Sequence, residues 1–197
     1  MNLNQAIKNR RSVREFKSKK PDWRDILECV DSMRYTPMAG GNFTLKFILV
    51  DDKEKIEKLA KAAQQDFILD AQYVLVVCSN PSRTVNSYGE RGEKYCRQQA
   101  GAAIQNFLLK IVEAGLSTCW VGHFVDEQVK RELKIPDNIE VEAMLPIGYE
   151  IKRSSKRRIK SDLDKTLFFN TYGNPQMKKI RKPEGIKVGL SKERSRE

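Results

Sequence analysis

Apolar residues recur at helical spacing in five stretches and run together or alternate in four others, a pattern that predicts an α+β fold. Residues 2–10 predict a short helix with Leu3, Ala6 and Ile7 on one face. Pro21 and Asp22 open a second helix: Asp22 suits an N-cap, and Trp23, Ile26, Leu27, Val30 and Met33 follow at helical spacing. Residues 35–42 hold Pro37, Gly40 and Gly41 and predict a loop; 45–50 predict a strand, and 53–63 a helix with Ile56, Leu59, Ala60 and Ala63 inward. The unbroken apolar run 73–78 predicts a strand covered on both faces, and the polar stretch 80–93 a surface loop. The clearest helix lies at 98–114, with an inward stripe of Ala100, Ile104, Phe107, Leu108, Ile111 and Ala114. Its small residues Gly101, Ala102 and Ala103 allow a second backbone to pack closely, and Gly115 suits the C-cap. Residues 116–121 read as extended. Asp126 caps a helix to about Leu133 that Pro136 stops, and 140–149 predict a strand with Val141, Ala143 and Leu145 alternating.

The 197 residues suffice for one domain with a sizeable core. No run approaches the roughly 18 apolar residues of a membrane span, and the polar, basic start has no apolar segment of the kind a signal peptide needs. Four scattered cysteines, Cys29, Cys78, Cys96 and Cys119, with one histidine argue against a zinc site and against a disulfide framework; buried free thiols in a reducing cytoplasm are the expectation. The net charge of +11 divides unevenly, at +6 over residues 1–24, −5 over 25–150 and +10 over 151–197. Basic ends suit a phosphate-bearing ligand, nucleic acid, or a merely solvated surface. No aromatic residue is interleaved with the basic run 152–160, which argues against stacking on bases. The tail from Asn174 is basic and aperiodic, a composition that stays unstructured unless it packs on something, such as a partner subunit.

Five segments carry candidate chemistry. Arg10-Arg11-Ser12-Val13-Arg14 follows the first helix, and three guanidiniums and a hydroxyl can surround a phosphate. A helix C-terminus repels anions, so an anion site here takes its positive charge from side chains; the alternative is a solvated basic turn. Pro37, Met38, Ala39, Gly40 and Asn42 offer small residues against which a flat ring can lie, beside an amide that both donates and accepts. Between Gly115 and Gly122 the backbone of Trp120, Val121 and Gly122 could face the polar edge of a heterocycle. Leu145-Pro146-Ile147-Gly148-Tyr149 is a strand broken by proline and ended by glycine, and Lys152, Arg153, Lys156, Arg157, Arg158 and Lys160 form a second candidate phosphate clamp. No G-x-G-x-x-G follows a strand, so a nicotinamide would have no domain of its own.

Taken in order, R-R-S-V-R, "TPMAGGN", "GAAIQNFLLKIVEAGLSTCWVG", "LPIGYE" and "FFNTYGN" resemble the nitroreductase family over most of residues 2–173. The resemblance implies a mixed β-sheet flanked by helices in a domain spanning 1–173. It also implies a homodimer with FMN at the subunit interface, and the basic extension 174–197 is expected to be exchanged onto the partner. Residue by residue, it implies that Arg10, Arg11, Ser12 and Arg14 hold phosphate, ribityl chain and the pyrimidine edge. Pro37, Met38, Ala39, Gly40 and Asn42 would line the flavin from the partner subunit, and Trp120, Val121 and Gly122 would lie along the ring. The family's late basic pair falls on Arg158 and Lys160, with Arg157 as the fallback. An extra glycine, Gly41, shifts the register of Asn42, and Phe43-Thr44-Leu45 replaces the family's usual Gln-Pro-Trp. The implied activity is electron transfer from NAD(P)H or a similar donor to an electron-poor aromatic or quinone in a ping-pong scheme, with no protein nucleophile or acid–base pair. Flavin fragmentation, reductive dehalogenation and non-catalytic flavin or nucleic-acid binding are the alternatives.

Overall fold

The computed structural model describes residues 1–152 and 161–177. The chain divides into two compact units, Met1–Arg153 and Ser154–Glu197. The first contains helices α1 (Leu3–Asn9), α2 (Trp23–Asp31), α3 (Lys53–Ala63), α4 (Ser82–Tyr88), α5 (Arg91–Glu113) and α6 (Asp126–Leu133), with strands β1 (Leu45–Val50), β2 (Tyr73–Ser79), β3 (Ser117–Thr118) and β4 (Glu140–Gly148). In the second, the described residues form a turn of 3₁₀ helix at Leu163–Lys165, and the rings of Phe168 and Tyr172 lie 4.9 Å apart. Arg157, Arg158 and Lys160, and all of the basic extension beyond Met177, lie outside the described residues.

The strands form one sheet in the order β1-β2-β4-β3. Every described strand pairing is antiparallel, not mixed as expected. An apolar run reports that a strand is covered on both faces, not which way its neighbour runs. β2 is buried along its whole length. Tyr73, Leu75 and Val77 face a core made with α2 and α5, while Val74, Val76 and Cys78 face a second core made with α3 and α6. The β2–β4 register breaks between Val77 and Cys78, which pair with Ala143 and Val141. The extra residue, Glu142, accepts a hydrogen bond from the Ser79 hydroxyl at 2.6 Å. The bulge corrects the expected alternation: Val141 lies in the α3/α6 core, whereas Ala143 and Leu145 lie in the other.

Sequence periodicity located α3 and β1 to the residue, and Asp22 caps α2 by accepting from the Arg24 amide at 2.9 Å. Elsewhere the structure differs. Leu3 and Ile7, which share a helix face with Ala6, and Trp23 and Leu27, which follow at helical spacing, are exposed, as is Ala114, expected inward. Asp126 is the first residue of α6 rather than its cap, which is Val125. The stretch 80–93 is not a loop: it contains α4 and the first turn of α5. α4 has one buried residue, Thr84, too few for a visible apolar stripe. The α4–α5 corner is set by Gly92, where a Cβ would lie 2.5 Å from the Val85 backbone, so a bare backbone lets the two helices touch.

Candidate functional site

The basic segment leaves α1 in an extended conformation, beginning at Arg10 (φ −58°, ψ 127°). From Val13 it is stitched to the end of the sheet. The Val13 amide donates to the Thr118 carbonyl at 3.0 Å, the Lys17 amide to Tyr149 at 2.7 Å, and the Ile151 amide to Glu15 at 3.2 Å. Phe16 is buried against Gly148, where a Cβ would lie 3.0 Å from its ring; the glycine of "LPIGYE" thus makes room for the segment that bears the arginines. Below it, Val13, Phe16 and Ala71 form a small core with Phe67, and the Arg14 guanidinium lies 5.7 Å from the centre of the Phe67 ring.

The second wall is the segment after β3. Val121 and Met144 exchange both backbone hydrogen bonds at 3.0 Å. Antiparallel alternation turns the backbone of residue 146 toward the same side, and that residue is proline, which has no N–H to donate. The ladder therefore lapses between Thr118 and Val121, where Cys119 and Trp120 sit. The two walls meet at the Cys119 thiol. Burial raises its pKa, while the Arg14 charge, a hydrogen bond with Ser12 and the Arg10 charge each pull it down. Arg10, Ser12 and Arg14 thus act on one point. Trp120 is 39% exposed beside them, Val121 is buried, and Gly122 is exposed next to the Trp120 indole. Arg11 turns elsewhere: its Nε donates to Glu150 Oε1 at 3.1 Å, and its terminal nitrogen pairs with Oε2.

The segment Pro37–Asn42 is held at the other end of α5. Buried Gln99 organises it: its side-chain oxygen accepts from the Thr44 amide at 2.9 Å and the Thr44 hydroxyl at 2.6 Å, and its amide donates to the Asn42 carbonyl at 3.1 Å. Gly40 abuts Tyr88, whose hydroxyl would lie 2.7 Å from a Cβ there. Met38, with Tyr35, Phe43 and Phe47, lines an open cleft of about 530 Å³. Arg10, Arg11 and Val13 instead share a cleft of about 260 Å³ with Leu108, Ile111 and Gly115, beside the C-terminal end of α5. Twelve residues of helix separate Gln99 from Ile111, about 18 Å at 1.5 Å per residue. One chain therefore brings Arg10, Ser12 and Arg14 to Trp120–Gly122, but does not bring Pro37, Met38, Ala39, Gly40 and Asn42 to them.

Gln99 and Glu150 are the site residues that sequence reasoning missed. Gln99 lies one helical turn from Ala103 on the inward face of α5, and a polar residue in such a stripe is a signal for a buried hydrogen-bond hub. Glu150 adjoins a motif that was noticed but carried no signal of its own. A further cleft of about 540 Å³, lined by Ile56, Ala60, Leu69 and Phe16, contains none of the candidate residues. The four cysteines are buried free thiols. No described helix is long and apolar enough to cross a membrane, and no metal-binding group of His, Cys, Asp or Glu occurs among the described residues.

Residues 7–68 and 60–149 match the model of the nitroreductase family. A provisionally named nitroreductase of Methanocaldococcus jannaschii is 36% identical over 102 residues, 51% of this chain and 50% of its own, so that match spans half of each protein. A provisionally named NADH dehydrogenase/NAD(P)H nitroreductase of Archaeoglobus fulgidus is 28% identical over 73% of this chain and 82% of its own. The iodotyrosine dehalogenase 1 homolog of Caenorhabditis elegans is 26% identical over 74% of this chain and 54% of its own. Among solved structures, a nitroreductase family protein from Clostridium novyi NT is 26% identical with a TM-score of 0.71, covering 88% of this chain and 96% of that one. An FMN-dependent nitroreductase from Clostridium difficile is 24% identical with a TM-score of 0.72, covering 86% and 99%.

Proposed function

This chain belongs to the nitroreductase family and is an oxidoreductase, and from that premise we propose that its cofactor is FMN, bound between two copies of the chain, and that it passes electrons from NAD(P)H to an electron-poor aromatic or quinone in two alternating half-reactions. One observation carries the reading: Arg10, Ser12 and Arg14 converge beside Trp120–Gly122, while the other candidate wall, Pro37–Asn42, lies about 18 Å along α5. A second copy supplies that wall to the first copy's arginines. FMN, when bound, supplies the hydride and electron chemistry.

The chain's own residues bind and tune. Two guanidiniums and a hydroxyl on one side of an extended segment match the charge and acceptor oxygens of a phosphate ester. Arg14, braced on Phe67, brings positive charge to the ring's pyrimidine edge and favours electron uptake there. The amides of Trp120 and Gly122, which flank Val121 and are not taken up by β4 as Val121 is by Met144, hold the ring's other polar edge. The partner's copy of the Pro37–Asn42 segment, its shape fixed through Gln99, lines the ring face and shields it from water.

Anaerobic titration of the purified protein with FMN, then with NADH or NADPH, tests this. The expected result is a yellow complex that bleaches with the donor and recolours with a quinone, on a particle of twice the chain mass in sedimentation. A colourless protein that takes up no FMN refutes it. Similarity to an iodotyrosine dehalogenase homolog supports a second reading, reductive removal of halogen from a phenolic ring on the same site. Halide release from a halophenol by the reduced protein distinguishes the two.

A further inference from the structure

The segment Arg10–Arg14 carries three guanidiniums and a hydroxyl in five residues but is geometrically divided. In an extended backbone successive side chains point to opposite sides. Ser12 hydrogen-bonds the Cys119 thiol and so faces the site, alternation puts residues 10 and 14 on the same side, and the Arg14 and Arg10 charges lie near enough to pull that thiol's pKa down. Residue 13 is buried in the small core with Phe16 and Phe67, and residue 11 reaches Glu150. That pair is fork to fork: two parallel N–H···O bonds engage both carboxylate oxygens, and the side chains are only 28% and 17% exposed. The backbone of Glu150 also bridges Phe16 beyond the end of β4. Backbone bonds to the sheet region begin at Val13, and ahead of it Arg11–Glu150 is a two-bond side-chain tie from the first part of the loop to the end of the sheet, beside the Ser12 contact with Cys119.

We propose that Glu150 is a positioning residue, which by occupying Arg11 holds the loop with Arg10, Ser12 and Arg14 turned into the cofactor site, and that Arg11 does not bind the phosphate. This rests on the FMN reading above. The two roles for Arg11 predict opposite signs. If Arg11 is the anchor, removing the carboxylate charge loosens the loop and weakens every flavin. If Arg11 is a phosphate ligand restrained by Glu150, removing the charge frees it and tightens FMN.

The test compares FMN and riboflavin binding by fluorescence quenching in the parent, Glu150→Gln, Arg11→Gln and the charge-swapped double variant Arg11→Glu/Glu150→Arg. Glu150→Gln and Arg11→Gln are expected to weaken FMN and riboflavin by the same factor, about ten- to hundredfold, the loss of a charged hydrogen-bond partner. The swapped pair is expected to recover most of that loss. Tighter or unchanged FMN binding in Glu150→Gln overturns the proposal, as does a loss in Arg11→Gln confined to FMN. If Glu150→Gln does not fold, the swapped variant decides: folded but unrecovered binding refutes the anchor. Amide hydrogen exchange on flavin-free protein reads the anchor without the cofactor. The Arg10 and Val13 amides, bonded to the Ala6 and Thr118 carbonyls, should exchange faster in Glu150→Gln, and unchanged exchange at both also refutes it. If the parent takes up neither flavin, the FMN reading fails, and the exchange measurement still judges the anchor separately.

Discussion

Gln99→Met removes the hub of the Pro37–Asn42 wall while keeping its volume. Met is close to Gln in size and flexible enough to occupy the same space, so the cavity contribution is small. What is lost is polar. The Thr44 amide, on a residue only 5% exposed, loses the acceptor it holds at 2.9 Å, and nothing in a methionine replaces it. An orphaned buried donor costs about 1–3 kcal/mol. The Thr44 hydroxyl loses the same oxygen, held at 2.6 Å, while the Asn42 carbonyl, on a half-buried residue, can turn to water and adds little. Burying a thioether in place of an amide returns part of the loss. The net is about 2 kcal/mol, or about 4–8 °C in Tm for a chain of this size. Thermal and urea unfolding measure it, and weaker FMN binding should accompany it because the wall is no longer held. Gln99→Glu sharpens the argument. Its ionised carboxylate would face the Asn42 carbonyl without a proton to donate, so its penalty should be larger at pH 8 than at pH 5, where the acid regains a donor. A Gln99→Met protein as stable as the parent would refute the account of how this wall is built.

Three other outcomes follow from the same geometry. Gly92→Ala forces a Cβ to within 2.5 Å of the Val85 backbone and should destabilise by about 1–3 kcal/mol, read as a lower urea midpoint; an unchanged midpoint would mean that the α4–α5 corner is slack. Burial pushes the Cys29 and Cys78 thiols up to about 11 from an ordinary value near 9, so between these values the unfolded chain has released protons that the folded chain keeps. Stability should therefore fall as pH rises from about 9 towards 11, and Cys29→Ala with Cys78→Ala should flatten that decline in pH-dependent unfolding. Arg14→Gln should leave the fold intact but weaken FMN and shift the potential of the bound flavin to more negative values by spectroelectrochemical titration; an unmoved potential would remove Arg14 from the ring's edge.

The regular parts of the fold were legible because their burial is periodic. α3 keeps one uninterrupted buried face, β1 is an apolar segment packed from both sides, and their ends coincide with an aspartate cap and a polar turn. What escaped the sequence depends on contacts remote in the chain. The face change at Val141 needs the bulge at Glu142, which exists only against β2. α4 has one inward residue and is fixed by backbone contact at Gly92. Leu3, Ile7, Trp23 and Leu27 have the spacing of a core yet lie on the surface of the single chain. Helical spacing records which residues share a face, not whether that face is covered within one chain.

The candidate site shows the same division at finer scale. R-R-S-V-R reads as one cluster of charge because composition ignores direction. An extended backbone gives it two sides, and what each side meets is decided by segments far along the chain: Cys119 for residues 10, 12 and 14, and Glu150 for residue 11. Gly148 and Pro146 of "LPIGYE" then acquire physical work that their spacing does not reveal. The first gives Phe16 its seat, and the second interrupts the hydrogen-bond ladder opposite Cys119 and Trp120. Both shape the walls around a ligand they need not touch. Substituting either should therefore disturb cofactor binding through the Phe16 segment or the Trp120 backbone, even though all of Arg10, Ser12 and Arg14 remain.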